Sequence, residues 1–354
     1  MGAEHGPGQR GGGGSREKDR GRSAMSGEDD WLSRPEWQDV AGLPGPAPGP
    51  GVVEIDYTDD YRRAVGVLAH LLGSGERTER VLWLSQRVIE LNPSHYTAWQ
   101  VRRECLDSLG SDLSLEKVFM DAVSMSGNAK NYQLWNHRRY VVGRLGSEAV
   151  AAELEFVREL LGEEPKHYHA WAYRQWLVKE FGAWEAELPL CEECIAEDVR
   201  NNSAWNHRFF VVTQGPDQGR LAAVREAEFE FAVARLPEDV GNESIWNYLR
   251  GLFPFEGPEC DAAALEAWFP RLLRVGQLSL ERDPGCSFAM AFLADVKVAQ
   301  AQLAAPGDSA RGRRLASEAL DLWRGLLDAD PLRAPYWGLR ASEAQSLVLS
   351  FELL

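Results

Sequence analysis

The sequence predicts an all-α fold, a right-handed solenoid or crescent of about seven antiparallel helical-hairpin repeats. Three observations lead there. The apolar residues recur with a period near 3.6, as Val81, Leu84, Val88 and Leu91 do in "ERVLWLSQRVIEL", and strand-like alternation is scarce. A tryptophan phrase returns about every 35 residues, the mark of an array of helix pairs. Before each phrase stands a short turn rich in Asn, Pro or Asp, the residues that start helices.

Residues 1 to about 50 read as a disordered Gly/Pro-rich segment. "GQRGGGGSREKDRGRS" and "GLPGPAPGPG" cannot bury enough apolar surface to offset the entropy of ordering. Between them "WLSRPEWQDV" carries two tryptophans and reads as a short docked segment. Residues 51–354 read as the repeat domain, beginning with the helix-patterned "VVEIDYTDDYRRAVGVL".

The repeats follow in order. "NPSHYTAWQVRR" ends near Arg103 and "NAKNYQLWNHRR" at Arg139; then come "EPKHYHAWAYRQ", "DVRNNSAWNHRF", "DVGNESIWNYLR" and a degraded "DPLRAPYWGLRA". Their tryptophans are Trp99, Trp135, Trp171, Trp205, Trp246 and Trp337. The first three steps are nearly equal, and the fourth is longer, after an insertion around "LPEDV". "DPGCSFAMAFLADV" fills the gap before Trp337, with Met290 in the tryptophan slot. A residue fixed at the start of every second helix reads as scaffold. So does the arginine three positions on, at Arg102, Arg138, Arg174, Arg208 and Arg340. One turn from the tryptophan it is partly buried, and it needs an acidic partner from the adjacent first helix.

Five residues before the tryptophan the slot holds Ser94, Lys130, Lys166, Arg200 and Gly241. Three consecutive cations at helix N-termini oppose the helix dipole. A bound anion, phosphate or carboxylate, removes the conflict; the plainer alternative is solvated turn residues. Tyr96, Tyr132 and Tyr168, three before their tryptophans, either contact a ligand or close the turn.

Composition limits the function. The formal net charge of −16 argues against sequence-independent nucleic-acid binding and against an anionic membrane surface. No apolar run reaches the ~18 residues of a membrane span, and the start of the sequence lacks the apolar core of a secretory signal. Five cysteines, an odd number, fit a reducing cytosol better than a disulfide framework. Cys191 and Cys194 form one CxxC in a helical run, with no second pair, and read as packing thiols rather than zinc ligands. His167 and His169 lie outside any metal motif. No metal site and no complete catalytic apparatus is expected on this chain.

The phrases "KNYQLWNHRR", "KHYHAWAYRQW", "DVRNNSAWNHRFFVV" and "NESIWNYLRG" closely resemble the repeats of protein prenyltransferase alpha subunits. The resemblance is closest to the branch whose alpha subunit serves both protein farnesyltransferase and type I protein geranylgeranyltransferase. It implies a crescent wrapped around an α–α barrel beta subunit, with no cofactor on this chain: the beta subunit carries zinc, and magnesium assists the farnesyl reaction. The complex moves an isoprenyl group from its diphosphate to a CaaX-box cysteine. The resemblance places Lys166 and Tyr168 at the diphosphate as catalytic residues. Lys130, Tyr132, His169, Arg200 and Asn201 are expected near the diphosphate or substrate. His167 stands where the family has asparagine, and Tyr173 where it has histidine. A non-catalytic peptide-binding scaffold of the tetratricopeptide kind is the alternative, although the Leu-Gly that follows the tryptophan in that repeat is missing.

Overall fold

Helix boundaries follow the polar caps. Thr58 accepts from the Tyr61 amide at the start of the first helix, α1 (Asp59–Gly73). Gly110, at φ +61°, closes the third, because an L side chain strains in that left-handed conformation. The computed structural model describes residues 30–43, 55–216, 221–255, 262–304 and 307–352, and every regular element among them is helical. The chain divides into two compact units, Met1–Asp112 and Leu113–Leu354.

The first unit holds α1, α2 (Glu79–Leu91) and α3 (Tyr96–Leu109), the last two forming a repeat hairpin. Residues 30–43 are folded onto it, which shortens the expected disordered segment. Trp31 and Trp37 meet edge to face at 4.9 Å, and both lie against Trp83 of α2 at 5.7 and 5.6 Å. Arg80 covers the Trp37 ring and bonds Asp39 and Glu76. Two buried indoles give this stretch the apolar area that its Gly/Pro-rich flanks lack. The remainder of the segment expected to be disordered, 1–29 and 44–50, lies outside the described residues.

Among the described residues the second unit contains six more hairpins. They are α4 (Leu113–Val123) with α5 (Tyr132–Leu145), α6 (Val150–Glu163) with α7 (Tyr168–Phe181), and α8 (Glu187–Glu197) with α9 (Asn202–Gln214). Then come α10 (Leu221–Val233) with α11 (Glu243–Leu252), α12 (Ala262–Arg282) with α13 (Ser287–Ala304), and α14 (Ser309–Ala329) with α15 (Ala334–Ser350). With the α2–α3 pair this makes the seven hairpins that the period predicts. Trp135, Trp171, Trp205 and Trp246 share one buried cluster with Leu249 and Phe292. Trp323 and Trp337 centre a second, alanine-lined cluster between α13, α14 and α15.

Candidate functional site

The second helices of the central hairpins start from turns built to one plan. Each tryptophan indole donates to the carbonyl six residues upstream: Trp99 to Pro93 (2.7 Å), Trp135 to Ala129 (2.6 Å), Trp171 to Pro165 (2.9 Å), Trp205 to Val199 (2.9 Å) and Trp246 to Val240 (2.8 Å). The phrase therefore ties its own turn closed as well as filling the core.

The helix cap sits four residues before the tryptophan. Asn131, Asn201 and Asn242 accept from the first amides through Oδ1, and His95 and His167 do the same through Nδ1. Asn201 also reaches back one repeat, donating Nδ2 to the Pro165 carbonyl at 3.2 Å; Asn242 donates to Val199 at 2.6 Å. Asn201, expected beside substrate, is thus fully buried, with both ends of its amide engaged in the scaffold. His167 keeps the cap, but its buried Nε2 has no partner.

In the three central repeats the arginine slot pairs as its burial requires, with an acid of the next first helix; Arg340 instead meets Asp295 of α13, a second helix, at 3.1 Å. Arg138 clasps Glu153 of α6 at 2.6 and 2.9 Å, Arg174 clasps Glu187 of α8 at 2.8 Å twice, and Arg208 clasps Glu228 of α10 at 2.6 and 2.9 Å. Each glutamate takes a further bond from the next second helix: Tyr173 to Glu153 (2.7 Å), His207 to Glu187 (2.6 Å) and Tyr248 to Glu228 (2.5 Å). Tyr173 is therefore a buried scaffold residue, and its hydroxyl pKa is driven up by burial and by the Glu153 charge. Burial pushes the Glu187 carboxyl up, but the bonds from His207 and Arg174 outweigh it and hold the group below the usual range. Sequence reasoning missed these glutamates. The signal was present: Glu116, which meets the buried His137 ring at 2.7 Å, recurs with Glu153, Glu187 and Glu228 at nearly the spacing of the tryptophans from Trp135 to Trp246, the long last step included.

The cationic slot lies on the surface. Lys130, Lys166 and Arg200 are all exposed, and each meets an acid of the following turn. Lys130 Nζ is 2.8 Å from Glu164, Lys166 Nζ is 2.9 Å from Asp198, and the Arg200 guanidinium bonds Asp239. The anion that relieves the helix-dipole conflict is here a carboxylate of the chain itself. These acids stand seven residues before their tryptophans and open the phrases "EPKHYHAW", "DVRNNSAW" and "DVGNESIW", so their period too was readable.

Beside the lysines runs an aromatic row. Tyr132 and Tyr168 are each 69 % exposed, and the half-buried His169 lies between them, 4.3 Å from Tyr132 and 5.2 Å from Tyr168, stacked on Trp135. Burial, then the neighbouring His167, lowers the His169 pKa and keeps the ring neutral at pH 7. The structure therefore gathers Lys130, Tyr132, Lys166, Tyr168 and His169 on one exposed edge of the α5 and α7 turns. Among the described residues no three His, Cys, Asp or Glu side chains converge as metal ligands. Burial raises the pKa of the Cys191 and Cys194 thiols, as packing residues require. No described helix is long and apolar enough to cross a membrane.

Comparison with known proteins places this arrangement. The protein prenyltransferase alpha subunit repeat matches residues 84–109, 120–145, 150–181 and 184–215. The chain is 41 % identical over 323 residues to the protein farnesyltransferase/geranylgeranyltransferase type-1 subunit alpha of Pisum sativum, covering 87 % of this chain and 93 % of that one. It is 34 % identical over 329 residues to the subunit of that name from Dictyostelium discoideum, covering 90 % and 96 %. Among solved structures, Candida albicans protein geranylgeranyltransferase-I complexed with GGPP superposes with a TM-score of 0.69 at 26 % identity, over 84 % of this chain and 95 % of that one. With its repeats, its hairpins and relatives matched nearly end to end, the chain belongs to the family of alpha subunits shared by protein farnesyltransferase and type-1 geranylgeranyltransferase.

Proposed function

We propose that the chain works as the alpha half of a heterodimer with a prenyltransferase beta subunit, and that the turn before α7 faces the diphosphate of the isoprenyl donor. One observation carries the second part. Lys166 presents an exposed ammonium, paired among the described residues only with the half-exposed Asp198, at a helix N-terminus, with the exposed Tyr168 hydroxyl two residues on and Lys130 one repeat away. In this reading the complex transfers a farnesyl or geranylgeranyl group to the thiolate of a C-terminal CaaX cysteine, in the cytosol. The beta subunit supplies zinc for the thiolate and magnesium accompanies the farnesyl reaction; the reading assigns neither to this chain.

Lys166 acts as neither proton donor nor nucleophile. As the C1–O bond breaks, negative charge grows on the departing diphosphate. A fixed ammonium stabilises that charge more than the ground state, which lowers the barrier. Tyr168 adds a neutral hydroxyl. Lys130 and Arg200 stand one repeat to either side and contribute less.

The test is single turnover by the heterodimer with farnesyl and geranylgeranyl diphosphates. Lys166→Ala assembles and binds donor but loses about a hundredfold in chemical rate, the effect of one oxyanion-type contact. Tyr168→Phe and Lys130→Ala lose less. Normal turnover by Lys166→Ala with a loss in Lys130→Ala would move the diphosphate to the other turn.

A further inference from the structure

The partner of Lys166 has a role of its own. Asp198 uses its two oxygens for different tasks. Oδ1 accepts from the Arg200 amide at 2.9 Å, which fixes the carboxylate in its turn, and Oδ2 lies 2.9 Å from Lys166 Nζ. Both side chains are well exposed, 58 % for Lys166 and 42 % for Asp198. An exposed pair adds little to stability, so the contact is not needed to hold the repeats together; the buried Arg174–Glu187 clasp does that in the interior of the same hairpin pair. What the pair does control is the availability of the Lys166 ammonium to any other anion.

Resting on the diphosphate reading above, we propose that Asp198 is an internal competitor and positioning residue for the diphosphate site. It holds the Lys166 ammonium in place while the site is empty, yields it to the diphosphate on binding, and takes it back as the diphosphate leaves. A carboxylate beside a polyanion site weakens ground-state binding by like-charge repulsion and favours release of the product anion. The Lys166 bond, set against burial, holds the Asp198 carboxyl below the usual aspartate range, so the competitor is charged throughout the neutral range.

Asp198→Asn tests this cleanly. Asparagine retains the Oδ1 acceptor for the Arg200 amide and loses the charge. The probe is inorganic pyrophosphate, titrated into the heterodimer by calorimetry, with the wild type, Asp198→Asn, Lys166→Ala and the double variant. The expected result is a dissociation constant lowered about two- to fivefold in Asp198→Asn, the range of an exposed ion pair. The gain shrinks as salt is added and is smaller for Asp198→Asn in the Lys166→Ala background, where only the direct repulsion remains. A purely structural role would shift the melting temperature and leave these constants alone. Unchanged or weaker pyrophosphate binding by Asp198→Asn overturns the proposal, as does an equal gain without Lys166. If Lys166→Ala lowers the single-turnover rate while Asp198→Asn binds as wild type, only the role of Asp198 fails. If Lys166→Ala both binds pyrophosphate and turns over as wild type, the diphosphate reading fails and this inference with it.

Discussion

The central hairpins, α4 to α11, and the last two, α12 to α15, hold the same architecture by different chemistry. In the centre every joint has an indole tied to a turn carbonyl and a polar cap, and buried glutamates tie successive repeats. Toward the C-terminus Met290 takes the tryptophan slot. Trp337 donates to the Asp330 carboxylate instead of a carbonyl, and Arg333 at the cap position makes no side-chain cap. The cationic slot becomes Gly285 and then Leu332, which is 88 % exposed. Length compensates: α12 to α15 run 17 to 21 residues, against 10 to 14 for α4 to α11. Long helices packed through small residues, such as Ala291, Ala294, Ala319 and Ala341, carry their ion pairs nearer solvent, as Arg340 on Asp295. Hairpin stacking alone does not demand the central chemistry, and the cations of that slot occur only where the chemistry is intact.

The largest effect should come from breaking a central joint. Glu187→Ala strands Arg174 and the His207 ring in the core and should cost about 3–5 kcal/mol, read by chemical denaturation. Asp295→Ala removes the carboxylate that Arg250 and Arg340 share in the C-terminal region, at 2.9 and 3.1 Å, nearer solvent. It should cost clearly less, and equal losses would erase the distinction.

Trp205→Ala removes a buried indole and should cost about 3–5 kcal/mol, with impaired folding or assembly rather than a selective loss of turnover. In the degraded phrase Leu332→Ala should change stability by no more than about 0.5 kcal/mol. A Trp205→Ala heterodimer with a normal melting temperature would refute the scaffold assignment.

Acid should act on the centre first. The Glu187 pKa is lower folded than unfolded, so its contribution is complete above the ordinary glutamate value of about 4.3 and fades as pH falls through the lower folded value. Melting temperature should therefore drop on acidification below about pH 4–5. Glu187→Gln should flatten that part of the profile; an unchanged slope would show that the charge of the clasp is not what titrates.

The smallest change sharpens the repeat plan. His167→Asn keeps the cap and supplies an amide able to reach the Ala129 carbonyl as Asn201 reaches Pro165. Giving the buried turn its missing bond should add about 0.5–1.5 kcal/mol, seen as a higher denaturation midpoint. A loss would mean that the unpartnered Nε2 carries no penalty.

Much of this was legible in the sequence because it is local. Apolar periodicity, turn residues and a phrase returning about every 35 residues specify helices, their starts and the number of hairpins. The need of a buried arginine for an acid was legible too, since it follows from burial alone. Asn201 shows the limit. The family resemblance implied substrate contact there, and the cap geometry turns its amide inward and buries it. Tyr173 gives the same lesson, since its identity says nothing of the glutamate that waits for its hydroxyl.

The sequence by itself determined the helices, the repeat and the scaffold tryptophans, because backbone hydrogen bonding and amphipathic spacing act within a few turns of chain. Only the tertiary structure decided which carboxylate meets which cation: Glu187 between Arg174 and His207 in the core, Asp198 on Lys166 at the surface. Those contacts join residues of different helices or turns, 13 to 32 positions apart along the chain, and depend on how neighbouring helices are spaced and rotated. Side-chain packing between helices fixes that geometry; the period marks the acids as repeating positions but does not say which cation each one meets.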